Sequence, residues 1–309
     1  MARRILITNG DHAANALAAH FPDAEILIWR DVLVEGPVPG GIDDEALADI
    51  RAQHIESAFG VRDVRSDFTR RDRAFDEINP SDRVELWFET DLHDQLQLIQ
   101  ILARFRAQPS RPALALTLAA PPLLNHIDAM AQTLAPVTEA QLAEGAALWA
   151  AFRAAEPGPM IDASSGDGAL PDARNAFARM LEEYPGAQDG LGRIERNGLL
   201  AVRDGALTPG LAFRHYQQTE PLPFLGDLGF FYRLEALGRG ASPLIHGLPA
   251  GGIARAAQSN MTVEYTETLI ELTDTGHAAL EGRADFVKLN GIDRWIGGVH
   301  LNDANVLRR

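Results

Sequence analysis

Four side chains able to ligate a cation or move a proton fall within six residues of this chain: Glu89, Asp91, His93 and Asp94. Gln95 follows directly, with an amide that can orient its neighbours. Two further carboxylates, Asp11 and Asp31, come shortly after apolar runs of their own, Ile5–Thr8 and Glu25–Trp29. Carboxylate oxygens are hard ligands, suited to Mg²⁺ or Mn²⁺. Crowded together without a cation, they raise one another's pKa and can serve as an acid/base pair. The candidate metal set is Asp11, Asp31, Glu89 and Asp91, with Asp94 and Gln95 orienting them. Trp29 and Trp87 are candidates for the wall of the same pocket, though large aromatic side chains of this kind more often belong to the core. The plain structural alternative is that Asp11 and Asp91 cap helices while Asp31 pairs with an arginine.

Other chemistries find less footing. His12, His93 and His126 match no zinc spacing such as H-E-x-x-H. Asn9-Gly10-Asp11-His12 has one glycine and lacks both the dinucleotide and the Walker pattern. Ser164-Ser165-Gly166 sits in a turn-rich stretch, and no G-x-S-x-G occurs. The chain has no cysteine, which excludes disulfides and thiolate chemistry.

The elements that must position these groups follow from apolar patterning. Ile5–Thr8, Glu25–Trp29, Val84–Phe88 and Ala113–Leu118 read as buried strands. Between them lie helical patterns: Ala13–His20, a helix opening at Asp43-Asp44-Glu45, and Leu92, Leu96, Ile99 and Leu102 at three- and four-residue steps. Strands alternating with helices predict a mainly parallel sheet, helices on both faces, over 1–135. Acidic groups at strand-to-helix junctions then gather where open α/β sheets build their sites.

From 136 to 309 the pattern predicts a mainly helical domain. Thr138 caps a helix running to Ala155, and Pro157–Asp167 reads as a linker. Helical patterns follow at 170–184, 192–202, 209–218 and 227–237. Alternation in Thr262–Tyr265 and Thr268–Leu272 predicts a two-stranded ribbon, the order of a winged helix-turn-helix. Trp295–Leu301 is apolar and should pack.

A net charge of −15 and a pI near 5.0 oppose binding to nucleic acid through bulk charge. Lys288 is the single lysine, and the arginines of Gly192–Arg196 read as a solvated face. Hydrophobic content of 46% supports a sizeable core. No apolar run nears the roughly 20 residues of a membrane span. A cytoplasmic protein without a membrane role is expected.

Several motifs together resemble a known family. They are Asn9-Gly10-Asp11, Trp29-Arg30-Asp31-Val32-Leu33, Glu35-Gly36-Pro37, Trp87-Phe88-Glu89 and Asp91-Leu92-His93-Asp94-Gln95-Leu96-Gln97, then Phe224-Leu225-Gly226-Asp227 and Gly291-Ile292-Asp293-Arg294-Trp295-Ile296-Gly297-Gly298-Val299-His300-Leu301. The N-terminal part resembles the bacterial family catalogued as domain of unknown function 1835, and the later motifs are similar to those that often accompany it. The resemblance touches most of the chain and implies no established activity.

The expectation is therefore an α/β domain with an acidic pocket and a mainly helical domain ending in a winged-helix-like ribbon. The pocket would bind or transform a small polar ligand, with or without a divalent cation. A ligand-responsive DNA-binding regulator and an interaction protein without catalysis are the alternatives.

Overall fold

The computed structural model describes residues 2–259 and 261–309. The chain forms two compact units. The first comprises the described residues up to Val34, Pro39–Asp49 and Arg65–Ala178, and the second Glu35–Val38, Ile50–Val64 and Arg179–Arg309.

In the first unit, β1 (Arg4–Asn9), α1 (Gly10–His20) and β2 (Glu25–Trp29) follow the expected order. Next come α2 (Asp44–Phe59) and α3 (Val64–Asp76), each with residues in both units. The unit continues through β3 (Arg83–Glu89), α4 (Leu92–Ala107), β4 (Ala113–Ala119), α5 (Ile127–Thr133), β5 (Ala135–Pro136), α6 (Glu139–Phe152), α7 (Gly158–Ala163) and most of α8 (Pro171–Leu181). The sheet order is β2-β1-β3-β4-β5, with β1 to β4 parallel and the short β5 antiparallel. The mainly parallel α/β sheet predicted from the apolar runs is thus present.

Both faces of the sheet are covered. On one, Leu6 and Trp87 form a core with Leu17 of α1, Leu123 and Met130 of α5. On the other, Trp29 meets Phe75 of α3, and Phe75 meets Phe105 of α4. Helix α4 is buried almost all round, further than its four-leucine-type stripe implies, because α6 lies over it. The approach is close: a Cβ on Gly145 of α6 would stand 2.6 Å from Leu102 Cβ. Thr138 opens α6 with a capping box, its hydroxyl accepting from Gln141 N at 3.1 Å. Pro157–Asp167 is not simply a linker. It contains α7, anchored by buried Met160, and Arg174 holds the carbonyls of Ala163 and Ser165.

The second unit is mainly helical: α9 (Arg193–Arg203), α10 (Pro209–Thr219), α11 (Asp227–Leu237), β6 (Ile245–His246), α12 (Gly252–Gln258), α13 (Thr262–Glu267), β7 (Glu271–Leu272), α14 (Asp274–Leu280), α15 (Phe286–Asn290), β8 (Asp293–Ile296) and β9 (Val299–Asn302). The ribbon expected over Thr262–Leu272 is not formed. Thr262–Glu267 is helical because Tyr265 turns into the core against Phe231, with ring centroids 5.3 Å apart. A four-residue alternation is too short to outweigh that contact. Glu271–Leu272 pairs instead with Ile245–His246. The hairpin of this unit is β8–β9, where buried Ile296, Val299 and Leu301 make the apolar tail pack as predicted.

The arginines of α9 also differ from the solvated face read in the sequence. Arg193 pairs with Glu182 at 2.6 Å, Arg196 pairs with Asp189, and buried Glu195 takes both Gly192 N and Arg294. Among the described residues, no helix is long and apolar enough to cross a membrane.

Candidate functional site

In the order β2-β1-β3, the chain leaves β1 toward one side of the sheet and later returns to β3 on the other. That reversal makes the carboxyl ends of β1 and β3 the switch point of the sheet, the place where α/β sheets generally bind ligands. Asn9 ends β1 and Glu89 ends β3, so both stand at this point.

The β3–α4 junction supplies the rest. Asp91 is the N-cap of α4, its Oδ1 accepting from Asp94 N at 2.9 Å. That turn brings Asp94 back under the strand end. Asp94 Oδ2 accepts from Glu89 N at 2.6 Å, and Oδ1 accepts from Asn9 Nδ2 at 2.5 Å. Gln95 donates to Glu89 O at 2.7 Å. Glu89 accepts from Leu123 N through Oε1. Carboxylate oxygens of Glu89, Asp91 and Asp94 thereby lie within 4.8 Å of one another.

Three acids this close, two of them buried, cannot all carry charge at low cost. Burial pushes the Asp91 carboxyl up to about 7, and the charge and hydrogen bond of Glu89 add to it. Burial also holds Asp94 well above the ordinary carboxylate range, reinforced by Asp91. The cluster therefore retains a proton near neutrality. A divalent cation is the chemical equivalent of that proton and relieves the same repulsion.

A belt of amides surrounds the acids. Gln97 Nε2 reaches Asp31 O at 2.9 Å, Asn9 Oδ1 at 3.3 Å and His93 Nε2 at 3.2 Å. The side-chain oxygens of Gln95 and Gln97 are buried and have no hydrogen-bond partner among the described residues. Buried acceptors left open are uncommon and call for a donor or a cation. Asn9 and Gln97 were not among the residues singled out in the sequence as ligands. Gln97 carried a signal, being polar between Leu96 and Leu98 on a helix that buries both.

Of the carboxylates expected to converge, the fold brings Glu89 and Asp91 together and adds Asp94 as a direct member. Asp11 and Asp31 lie outside this cluster. Asp11 is on the exposed first turn of α1, where Arg30 Nη2 holds it at 2.5 Å and lowers its pKa. Asp31 is buried, gives its carbonyl to Gln97, and its charge acts on the Arg71 guanidinium. Trp29 and Trp87 are wholly buried, their indole N–H groups donating to Gln100 at 2.9 Å and Glu85 at 3.3 Å. His12 is exposed on α1 and His126 precedes α5.

No protein-family model matches the chain, and no curated protein sequence matches it.

Proposed function

We propose that this protein binds a hard divalent cation, Mg²⁺ or Mn²⁺, at Glu89, Asp91 and Asp94, and uses it to hold or activate a small polar ligand. The observation that carries this reading is the triad of carboxylates within 4.8 Å, placed at the switch point of the sheet where β1 and β3 end. Asn9, Gln95 and Gln97 orient the acids, and the two open amide oxygens supply further neutral acceptors of the kind such ions accept. Asp11 and Asp31 take no part in ligating the cation.

A second reading keeps the same residues without a metal. Asp91 shares a proton with Glu89 and acts as an acid/base near neutral pH. Manganese titration followed by electron paramagnetic resonance separates the two. The cation reading expects one Mn²⁺ removed from the free signal per chain, and loss of that binding in Asp91→Asn/Asp94→Asn. Undiminished free Mn²⁺ beside the wild-type chain leaves the proton-sharing pair.

The regulator reading gains nothing from α9, whose arginines are held in ion pairs. We also propose that the chain is cytoplasmic and, on the motifs quoted above, that it is related to the domain of unknown function 1835 family.

A further inference from the structure

The second unit holds a cavity of 680 Å³ that shares no residue with the carboxylate cluster. Small-molecule sites occupy roughly 300–1,000 Å³. Residues far apart in the chain line it, among them Glu35, Gly36, Tyr232, Arg233, Arg294 and Trp295.

Its most buried charges are Glu35 and Arg233, whose side chains are 3% and 4% exposed. Arg233 gives its Nε to Glu35. Its two Nη groups make no hydrogen bond among the described residues, and they are not sealed inside the protein, so they open on the cavity. Arg294 gives one Nη to Glu183 O at 3.2 Å and the other to Glu195, which leaves its Nε. A buried guanidinium with an unused face calls for an acceptor, and its planar fork matches an oxyanion.

The acids that line the cavity are already engaged. Glu35 takes Arg233, Asp293 meets His300 at 2.7 Å, and Asp303 accepts from Ile292 N at 3.2 Å. They offer little to a cation. The walls are flat and backed: Trp295 stacks on His300 with an interplanar angle of 3°, and Tyr232 meets Phe59 edge-on at 5.5 Å. Gly36 has a φ of 79°, and a Cβ there would stand 2.2 Å from the His54 ring. The wall closes only because that residue is glycine.

We propose that this cavity is a second ligand site, taking a small carboxylate or phosphate carried on a planar ring. The oxyanion meets the Nη edge of Arg233 and the Nε of Arg294, and the ring lies against the aromatic wall.

The test is isothermal titration of the full chain with phenyl phosphate, benzoate, inorganic phosphate and phenol, no metal being added. At least one of phenyl phosphate and benzoate is expected to bind saturably at one site, tighter than inorganic phosphate and far tighter than phenol. Which of the two binds better identifies the anion. Arg233→Lys keeps the charge opposite Glu35 but removes the fork, and should weaken binding roughly tenfold for each charged hydrogen bond lost. Ala236→Met fills the cavity without touching the ion pairs and should abolish binding even if the lysine variant fails to fold. No saturable binding of either ring anion, phenol binding as tightly, or full affinity in Ala236→Met would overturn the proposal. Because metal is absent, failure of the cation reading leaves this outcome unaffected.

Discussion

The acids Glu89, Asp91 and Asp94 and the pair Glu35–Arg233 are both buried charge, but they are assembled in different ways. In the first, like charges come from six consecutive residues and face backbone N–H groups and amides. In the second, opposite charges come from residues 198 apart in the chain and face each other. A locally built cluster of like charge is relieved by a proton or a cation, so its state follows pH and metal. A pair closed over long range sets its two members against each other: the acids around Arg233 hold its pKa up, while burial raises that of Glu35 against the pull of Arg233. The first is suited to exchange, the second to permanence.

The largest effect that would sharpen this contrast comes from breaking the pair. Arg233→Met leaves Glu35 buried without its cation and should cost about 3–5 kcal/mol in urea unfolding. Asp94→Asn at pH 8 should cost no more than about 1–2 kcal/mol, since one acceptor is lost but a disfavoured charge is removed. Equal costs would erase the distinction.

The next effect is pH dependence. Asp91 has a folded pKa of about 7, raised above its ordinary value by burial and by Glu89. Raised acids bind more protons in the folded than in the unfolded state, so their stabilising contribution is full below pH 4 and is lost as pH rises through 7. Asp94, raised in the same direction, adds to this loss. Stability should therefore fall between pH 5 and 8 in a thermal series, more steeply than in Asp91→Asn/Asp94→Asn, and Mn²⁺ should restore it at the upper end. A profile unchanged by the double substitution would mean that the cluster does not hold the proton.

Smaller effects follow on each side. Gly36→Ala forces a side chain into the left-handed region against His54 and should cost about 1–3 kcal/mol in thermal unfolding. Asp11→Asn removes an ion pair whose acid is 64% exposed. It should change stability by less than about 1 kcal/mol and leave Mn²⁺ affinity unaltered.

The sequence made the first unit more legible than the second, for physical reasons. Four parallel strands were readable because fully buried strands are continuous apolar runs, as in Ile5–Thr8 and Val84–Phe88. Glu89 and Asp91 were readable because one strand end and one helix cap fix them locally. The role of Asp94 was understated, since only the turn of α4 brings its carboxyl back to Glu89 N. Asp11 was drawn aside by Arg30, a contact between the first turn of α1 and the residue after β2 that side-chain alternation alone did not indicate. The cavity of the second unit was invisible for the same reason that its ion pair is durable. Glu35 and Arg233 meet only through tertiary packing, and no local spacing announces them. The mistaken ribbon at Thr262–Leu272 came from a four-residue alternation, shorter than the six-residue helix that Tyr265 anchors.

The most direct test of the cation site is Mn²⁺ titration calorimetry at pH 7 in two buffers of different ionisation heat, which counts protons as well as ions. One Mn²⁺ should bind per chain with release of about one proton or more, because the ion replaces what Asp91 and Asp94 retain. Asp91→Asn/Asp94→Asn should lose both the ion and the protons. No binding by the wild-type chain, or binding without proton release that survives the double substitution, would contradict it.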